Sequence, residues 1–164
     1  MIRKAKLGDL KAVLKLYEDA KKFIKSYDSP QWQDGYPNEQ TFLGDLKLEQ
    51  VFVNEVKNKI VGVASFLTYE PTYDSIEGAW LNAEPYIVIH RITTAIDELG
   101  KGYAKAFIDY INQVLGYQNI RIDTHHLNEP MKRFLIKNGF VLCGVITLNQ
   151  PEDNKRLAYQ KVFT

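Results

Sequence analysis

Hydrophobic and polar positions alternate with two different periods along this chain. Between Leu10 and about Lys25 the apolar residues recur every three or four positions, which predicts a helix that Asp9 is placed to cap. The same period predicts three further helices, over 39–48, from Gly102 to about Val114 and from Pro130 to Asn138.

Shorter segments rich in β-branched and aromatic residues predict strands. These segments are 2–6, 51–56, 60–68, 86–94, 119–124, 140–148 and 156–163. The elements follow one another in the order βααβββαβαββ. This order predicts an α/β fold in which helices cover both faces of one mixed sheet.

Length, composition and charge limit the classes of protein. A chain of 164 residues fits one domain, expected to span 1–164. The net charge of +1 provides no electrostatic case for nucleic-acid binding. No apolar run is long enough to cross a membrane, and the first residues lack the apolar core of a secretory signal. With Cys143 as the only cysteine, a disulfide framework is excluded and a cytoplasmic location is expected.

The stretch from Ile92 to Ala104 has the features of an anion site. It reads as the end of a strand, a loop with Gly100 and Gly102, and the first turn of a helix. Backbone N–H groups at a helix start point toward an anion, and the helix dipole favours negative charge there. Lys101 adds a positive charge, so the local pattern predicts a phosphate site.

Two motifs in this half of the chain resemble those of the GCN5-related N-acetyltransferase (GNAT) superfamily. Leu99-Gly-Lys-Gly-Tyr-Ala104 is similar to the family's Q/R-x-x-G-x-G/A loop, with leucine in place of the first polar residue. The second motif runs from Asn128 through Met131 to Lys137-Asn-Gly-Phe140. The resemblance covers nearly the whole chain. It implies a GNAT fold, with a mixed central sheet of six or seven strands flanked by about four helices.

The resemblance also implies acetyl-CoA as the cofactor. The backbone of the central strand is expected to pair with the pantetheine arm where this strand and the next one splay apart. The amides of the glycine loop are expected to hold the pyrophosphate. The expected coenzyme-binding residues are Ile92, Thr93, Thr94, Leu99, Gly100, Lys101, Gly102, Tyr103, Ala104, Asn128, Phe134 and Lys137.

The reaction implied by the resemblance is acetyl transfer to a primary amine of a small molecule or peptide by direct attack. An alkylammonium has a pKa of about 10, so a base must remove a proton. His90 is the candidate base, because it is expected to share a strand face with Ile92 while Arg91 points away. A hydrogen-bonded structural histidine is the alternative. Leu135 stands where the family has its tyrosine acid, so either the acid is unassigned or the leaving thiolate needs none.

Loops 26–38 and 71–85 are expected to shape the acceptor pocket, because loops so often carry function. The first loop holds aromatic side chains that serve either as a lid on the core or as a substrate wall. Glu77 and Glu84 are candidate carboxylates for an amine substrate, and each is equally a solvated charge. The candidate substrate-binding residues are Trp32, Tyr36 and Tyr86.

Other classes of function stay open. A non-catalytic acyl-CoA-binding or sensor domain is the first alternative, because Leu99 and Leu135 depart from the family pattern. A nucleotide-binding module is disfavoured, since no Lys-Ser pair follows the glycines. No metal site is expected, because His125 and His126 lack further ligands at suitable spacing. Exposed sheet edges often pair in such folds, which leaves a homodimer open.

Overall fold

The structure is a computed structural model that describes all residues from 1 to 164. The helices are α1 (Leu10–Lys25), α2 (Glu39–Lys47), α3 (Tyr103–Gln113) and α4 (Glu129–Lys137). The strands are β1 (Ile2–Lys4), β2 (Val51–Val56), β3 (Lys59–Leu67), β4 (Glu77–Gly78), β5 (Ile87–Thr94), β6 (Asn119–Thr124), β7 (Val141–Thr147) and β8 (Lys155–Val162). None of the helices combines the length and the apolar character that a membrane crossing requires.

All eight strands belong to one sheet, in the order β1-β2-β3-β5-β6-β8-β7-β4. Neighbouring strands are antiparallel except β5 and β6, which α3 connects as a parallel pair. In that pair Ile87 lies opposite Ile120 and Val88 opposite Arg121, and the pairing stops there. Beyond these residues the two strands part. We call the opening between their carboxyl ends the split.

Apolar clusters hold the helices on the two faces of the sheet. The largest cluster includes Phe107 of α3 and Leu135 of α4. A second cluster, around Tyr17, packs α1 and α2 against β2 and β3. A third cluster, which includes Tyr73 and Val88, lies under the segment that follows β3. The split therefore lies between packed layers, and its position is set by the central strands.

A bulge in β5 changes the faces toward which its side chains point. Arg91 and Ile92 together lie opposite a single residue of β3, and Arg91 has a φ of +55°. Ile89 and Ile92 both pack with the α3 cluster, whereas His90 points to the opposite face, toward Glu70. The prediction that His90 and Ile92 share one face, with Arg91 pointing away, is therefore wrong. The extra residue breaks the simple alternation of the strand.

The predicted order of elements is confirmed, with one addition. The expected six or seven strands become eight, because Glu77–Gly78 forms β4 within a segment read as a loop. A Cβ on Gly78 would lie 2.3 Å from the carbonyl oxygen of Cys143, so only glycine permits this approach. Asp9 does not cap α1 with its side chain. Its carboxylate instead accepts hydrogen bonds of 2.8 and 3.0 Å from Arg3.

Candidate active site

A cavity of about 950 Å³ occupies the split. Residues 89–94 of β5 form one wall, and residues 122–124 at the end of β6 form part of another. The start of α4 and the glycine loop contribute further wall residues. The segment between α1 and α2, the segment between β7 and β8, and residues at the end of β3, with Glu70 after it, also line the cavity. The cavity therefore extends from the start of α3 to the segments between α1 and α2 and between β7 and β8, which can contact a second bound molecule.

The glycine loop forms the start of α3 without a side-chain cap. Gly100 and Gly102 have φ values of +80° and +84°, which other residues rarely adopt. First-turn N–H groups have no partner within a helix, and here no side-chain cap accepts from them, so they can bind an anion. The Lys101 ammonium lies 2.6 Å from the Glu98 carboxylate, so its charge is already partly balanced.

The predicted coenzyme-binding residues divide between the cavity wall and its surroundings. The wall includes Ile92, Thr93, Thr94, Leu99, Ala104, Asn128 and Phe134. The loop residues that do not line the cavity are Gly100, Lys101, Gly102 and Tyr103. Lys137 is exposed at the end of α4 and lies outside the wall. The structure therefore brings the central strand and the glycine loop together but leaves Lys137 apart.

Asn128 connects α4 to the segment between α1 and α2. Its side-chain oxygen accepts from the backbone N–H of Met131, which caps α4, at 3.2 Å. The same oxygen accepts from the hydroxyl of Tyr27 at 3.1 Å, and its amide nitrogen donates to Gln31 at 2.9 Å. This buried amide therefore fixes one edge of the cavity wall.

His90 is paired with a carboxylate that sequence reasoning did not select. Nε2 of His90 lies 2.8 Å from Oε1 of Glu70, and the other Glu70 oxygen accepts from the N–H of Thr72 at 3.1 Å. The hydrogen bond with His90 lowers the pKa of Glu70 to about 2. The carboxylate is therefore ionised near neutral pH and only accepts. It follows that Nε2 of His90 carries the proton and Nδ1 keeps a free lone pair in the neutral ring.

A buried ion pair anchors the bulge beside His90. Nη2 of Arg91 lies 2.7 Å from both carboxylate oxygens of Asp45 on α2, and Nη1 donates to the hydroxyl of Tyr36 at 2.7 Å. Asp45 is 5% exposed and also accepts from Ser65 at 2.7 Å and Gln50 at 2.8 Å. These contacts join β5 to α2 and place the Tyr36 ring in the cavity wall.

Asp123 faces His90 from the other lip of the split. Val88 is in register with Arg121, and His90 and Asp123 each follow two residues later on the same face of their strands. The hydroxyl of Tyr73 donates to Oδ2 of Asp123 at 2.6 Å. Burial raises the pKa of Asp123 above its ordinary value. The split therefore has a histidine on one side and a carboxylate on the other.

The aromatic residues predicted to bind the acceptor lie in different places. Trp32 and Tyr36 line the cavity. Tyr86 does not, because its ring packs 4.0 Å from the guanidinium carbon of Arg121. Residues 71–85 do not line the cavity as expected. The segment between β7 and β8 forms that part of the wall, and residues 72 and 73 contact it only through Glu70 and Asp123.

The carboxylates in the cavity are also different from those expected. Glu77 pairs with Lys155 at 3.3 Å and Glu84 is exposed, and neither lines the cavity. The carboxylates that line the cavity near His90 are Glu70 and Asp123. A signal for Asp123 was present, since a carboxylate within a buried strand usually has a specific partner. Glu70 had no comparable signal, because its importance depends on a contact between distant parts of the chain.

Comparison with known proteins establishes the family. The sequence model of the GNAT acetyltransferase family matches residues 11–140. The chain belongs to the GNAT family of acetyltransferases. No protein with curated annotation matches the sequence.

Solved structures agree with this assignment. A GNAT acetyltransferase from Streptococcus agalactiae 2603 is 31% identical to this GNAT protein, over 100% of this chain and 95% of its own, with a TM-score of 0.91. A putative acetyltransferase from Staphylococcus aureus Mu50 is 30% identical, over 100% and 99%, with a TM-score of 0.72. A ribosomal-protein-alanine N-acetyltransferase from Brucella melitensis is 18% identical, over 99% of both chains, with a TM-score of 0.69, and shows the fold alone.

The residues around the split fit acetyl-CoA, which GNAT proteins generally use. The uncapped start of α3 offers backbone N–H groups to a pyrophosphate. Beyond Val88 the side of β5 that faces β6 has no strand partner, so its backbone groups can pair with an extended, amide-bearing arm. No group of three or more His, Cys, Asp or Glu side chains is arranged to hold a metal ion.

Proposed function

We propose that this GNAT protein transfers the acetyl group of acetyl-CoA to a primary amine of a small molecule or peptide by direct attack. The observation that carries the proposal is the pair formed by His90 and Glu70, which are 2.8 Å apart in the cavity wall. Because Glu70 holds the ring through Nε2, the basic nitrogen Nδ1 is left for the acceptor. The same cavity contains the unpaired backbone of β5.

The chain's own groups would hold the coenzyme along the split. The chain enters α3 through Gly100 and Gly102, and the first-turn N–H groups of this helix would bind the pyrophosphate. Backbone groups of β5 around Ile92 and Thr94 would bind the pantetheine arm as an added strand. Leu99 contributes no side-chain hydrogen bond, so the proposed phosphate site depends on backbone amides.

His90 is proposed as the general base. Its Nδ1 accepts the proton that an alkylammonium must lose before its nitrogen can attack. Glu70 acts as a positioning residue, since its carboxylate keeps the ring in one tautomer and stabilises the imidazolium that forms.

The remaining needs of the reaction are modest. Bound acetyl-CoA supplies a thioester whose carbonyl carbon is open to attack. A backbone N–H of β5 near Ile92 would donate to the carbonyl oxygen as negative charge develops. Leu135 is 0% exposed in the α3 cluster, so α4 offers no acid at the family's tyrosine position. A thiol with a pKa of about 8.5 leaves as the thiolate without strong acid assistance.

Substitution of His90 tests the proposal. We expect His90→Ala to lower turnover by about 10²- to 10⁴-fold and to leave coenzyme affinity nearly unchanged, as for loss of a general base. Release of free thiol from acetyl-CoA is measured against a panel of primary amines across a pH series. His126→Ala is the matched control, because His126 is exposed and does not line the cavity.

Two results would contradict the proposal. Equal turnover of His90→Ala and the unmodified protein at every pH would exclude His90 as the base. Tight coenzyme binding without turnover of any amine would favour the acyl-CoA sensor.

A further inference from the structure

We infer that Asp123 binds the positively charged amino group of the acceptor, so that cationic alkylamines are the acceptor class of this site. The inference rests on the proposed acetyl transfer, because it assumes that the acceptor enters the split beside His90. Asp123 would bind the substrate directly, and Tyr73 would act as a positioning residue behind it.

The register of the central strands places Asp123 at the reacting position. β5 and β6 are parallel and in register at Val88 and Arg121, and they part immediately afterwards. His90 and Asp123 are the next residues on that face of the two strands. A molecule that enters the split on this face therefore lies between His90 and the Asp123 carboxylate.

The two oxygens of Asp123 have different surroundings. Oδ2 accepts a 2.6 Å hydrogen bond from the hydroxyl of Tyr73, a residue that is 1% exposed. Oδ1 has no hydrogen bond or ion pair within the protein, and it is not among the side-chain atoms sealed from solvent. Since Asp123 lines the cavity, Oδ1 is the oxygen that a ligand can reach. A half-buried carboxylate held by one oxygen and open at the other suits an ammonium donor.

Apart from Asp34 and Glu152, which are exposed at the surface, the other charged groups in the cavity wall already have partners. Both oxygens of Glu70 accept hydrogen bonds, and Oδ1 of Asp153 lies 2.7 Å from His125. Arg91 is paired with Asp45, as described above. Arg156 directs Nη1 to the backbone carbonyl oxygens of residues 153 and 155 at 2.7 and 2.8 Å. No cation of the protein lies within ion-pair distance of Asp123, so a cationic ligand would supply the missing partner.

The chemistry of transfer is consistent with this role. Oδ1 of Asp123 accepts one N–H of the ammonium, while another proton moves from nitrogen to Nδ1 of His90. The freed lone pair forms the N–C bond to the acetyl carbon, and the C–S bond breaks with its electron pair on sulfur. The nitrogen then loses a second proton, which the thiolate takes up to give the free thiol of coenzyme A, while the first proton passes from His90 to solvent. An uncharged hydroxyl compound of the same shape gains no charge-assisted hydrogen bond and should bind more weakly.

Binding without turnover tests the inference. Phenethylamine and its uncharged isostere 2-phenylethanol are titrated into the full-length protein saturated with coenzyme A, and both dissociation constants are measured by calorimetry. We expect the amine to bind about 10- to 100-fold more tightly. Asp123→Asn keeps the size of the side chain and an acceptor for Tyr73, and it should reduce this preference to about twofold or less. Glu152→Gln is the control, because Glu152 is exposed on the cavity wall and should leave the preference intact.

The outcomes separate this inference from the proposed function. An amine preference that persists in Asp123→Asn, or that is missing from the unmodified protein, overturns the role of Asp123. An intact preference that depends on Asp123, without acetylation of any amine, refutes the transferase proposal and supports the binding site. Unchanged affinity for coenzyme A shows that the variant is folded. If Asp123→Asn does not fold, Tyr73→Phe decides. It removes the hydrogen bond that holds the carboxylate in position and should lower the preference several-fold. An unchanged preference overturns the inference.

Discussion

Replacement of Asp45 by alanine would leave a buried guanidinium without its partner. In the folded protein Asp45 accepts two 2.7 Å hydrogen bonds from Arg91 and further ones from Ser65 and Gln50. The side-chain exposures of Asp45 and Arg91 are only 6% and 11%, so water cannot easily replace the carboxylate. Alanine would remove both carboxylate acceptors at once, leaving the charge of Arg91 in place with only the hydroxyl of Tyr36 as a side-chain acceptor.

Loss of one partner from a buried ion pair costs about 3–5 kcal/mol. In a chain of this length 1 kcal/mol corresponds to about 2–4 °C in Tm, so Tm should fall by about 6–20 °C. Urea unfolding followed by tryptophan fluorescence measures the free energy of unfolding directly. The m-value should stay constant, since the surface exposed on unfolding is almost the same in both proteins.

Asp19→Ala provides the comparison. Asp19 pairs with Lys15 at 2.6 Å on α1, where the Lys15 side chain is 76% exposed. An exposed helical pair of this kind contributes about 0.3–0.5 kcal/mol. The reasoning would be refuted if Asp45→Ala destabilised the protein by less than about 1 kcal/mol, because the guanidinium would then have found water or another acceptor.

Two further substitutions test the glycine loop and the short strand β4. Gly102→Glu should weaken coenzyme A binding by about tenfold or more in a calorimetric titration. It puts a carboxylate beside the proposed phosphate site, on a residue with a φ of +84°. Unchanged affinity would contradict the assignment of the pyrophosphate site. Gly78→Ala should cost about 1–3 kcal/mol in thermal unfolding, because its Cβ would lie 2.3 Å from a carbonyl oxygen of β7. In Gly44→Ala the added Cβ meets nothing within 4 Å on α2, so this substitution should instead stabilise the protein by about 0.5–1 kcal/mol. A Gly78→Ala protein more stable than Gly44→Ala would contradict the packing argument.

The start of α3 was predictable from sequence because its requirements are local. Left-handed backbone at Gly100 and Gly102 and free N–H groups at a helix start follow from a few consecutive residues. The two-residue strand β4 was missed for the opposite reason. Its formation depends on a partner in β7 more than sixty positions away. A segment of two residues is also too short to show the hydrophobic periodicity that predicts a strand.

His90 was selected because it stands on a central strand, but its partner could not be found in the same way. Glu70 is 20 positions earlier, and their contact depends on how β3 and β5 align. That alignment contains the bulge at Arg91, which no alternation rule predicts. The face toward which each side chain of β5 points is therefore a tertiary property, decided by the contacts of Arg91 with α2.

The proposed base and the predicted arm site both lie where β5 departs from regular pairing. The split leaves backbone groups free for a ligand, and the bulge turns His90 and Arg91 toward the same side of the sheet. A bulged residue at positive φ is unfavourable by itself, so some contact must hold it. The Asp45–Arg91 pair is that contact. Asp45→Ala should therefore lower turnover as well as stability, and a variant that lost stability but kept wild-type kcat would show that the sheet alone holds the bulge.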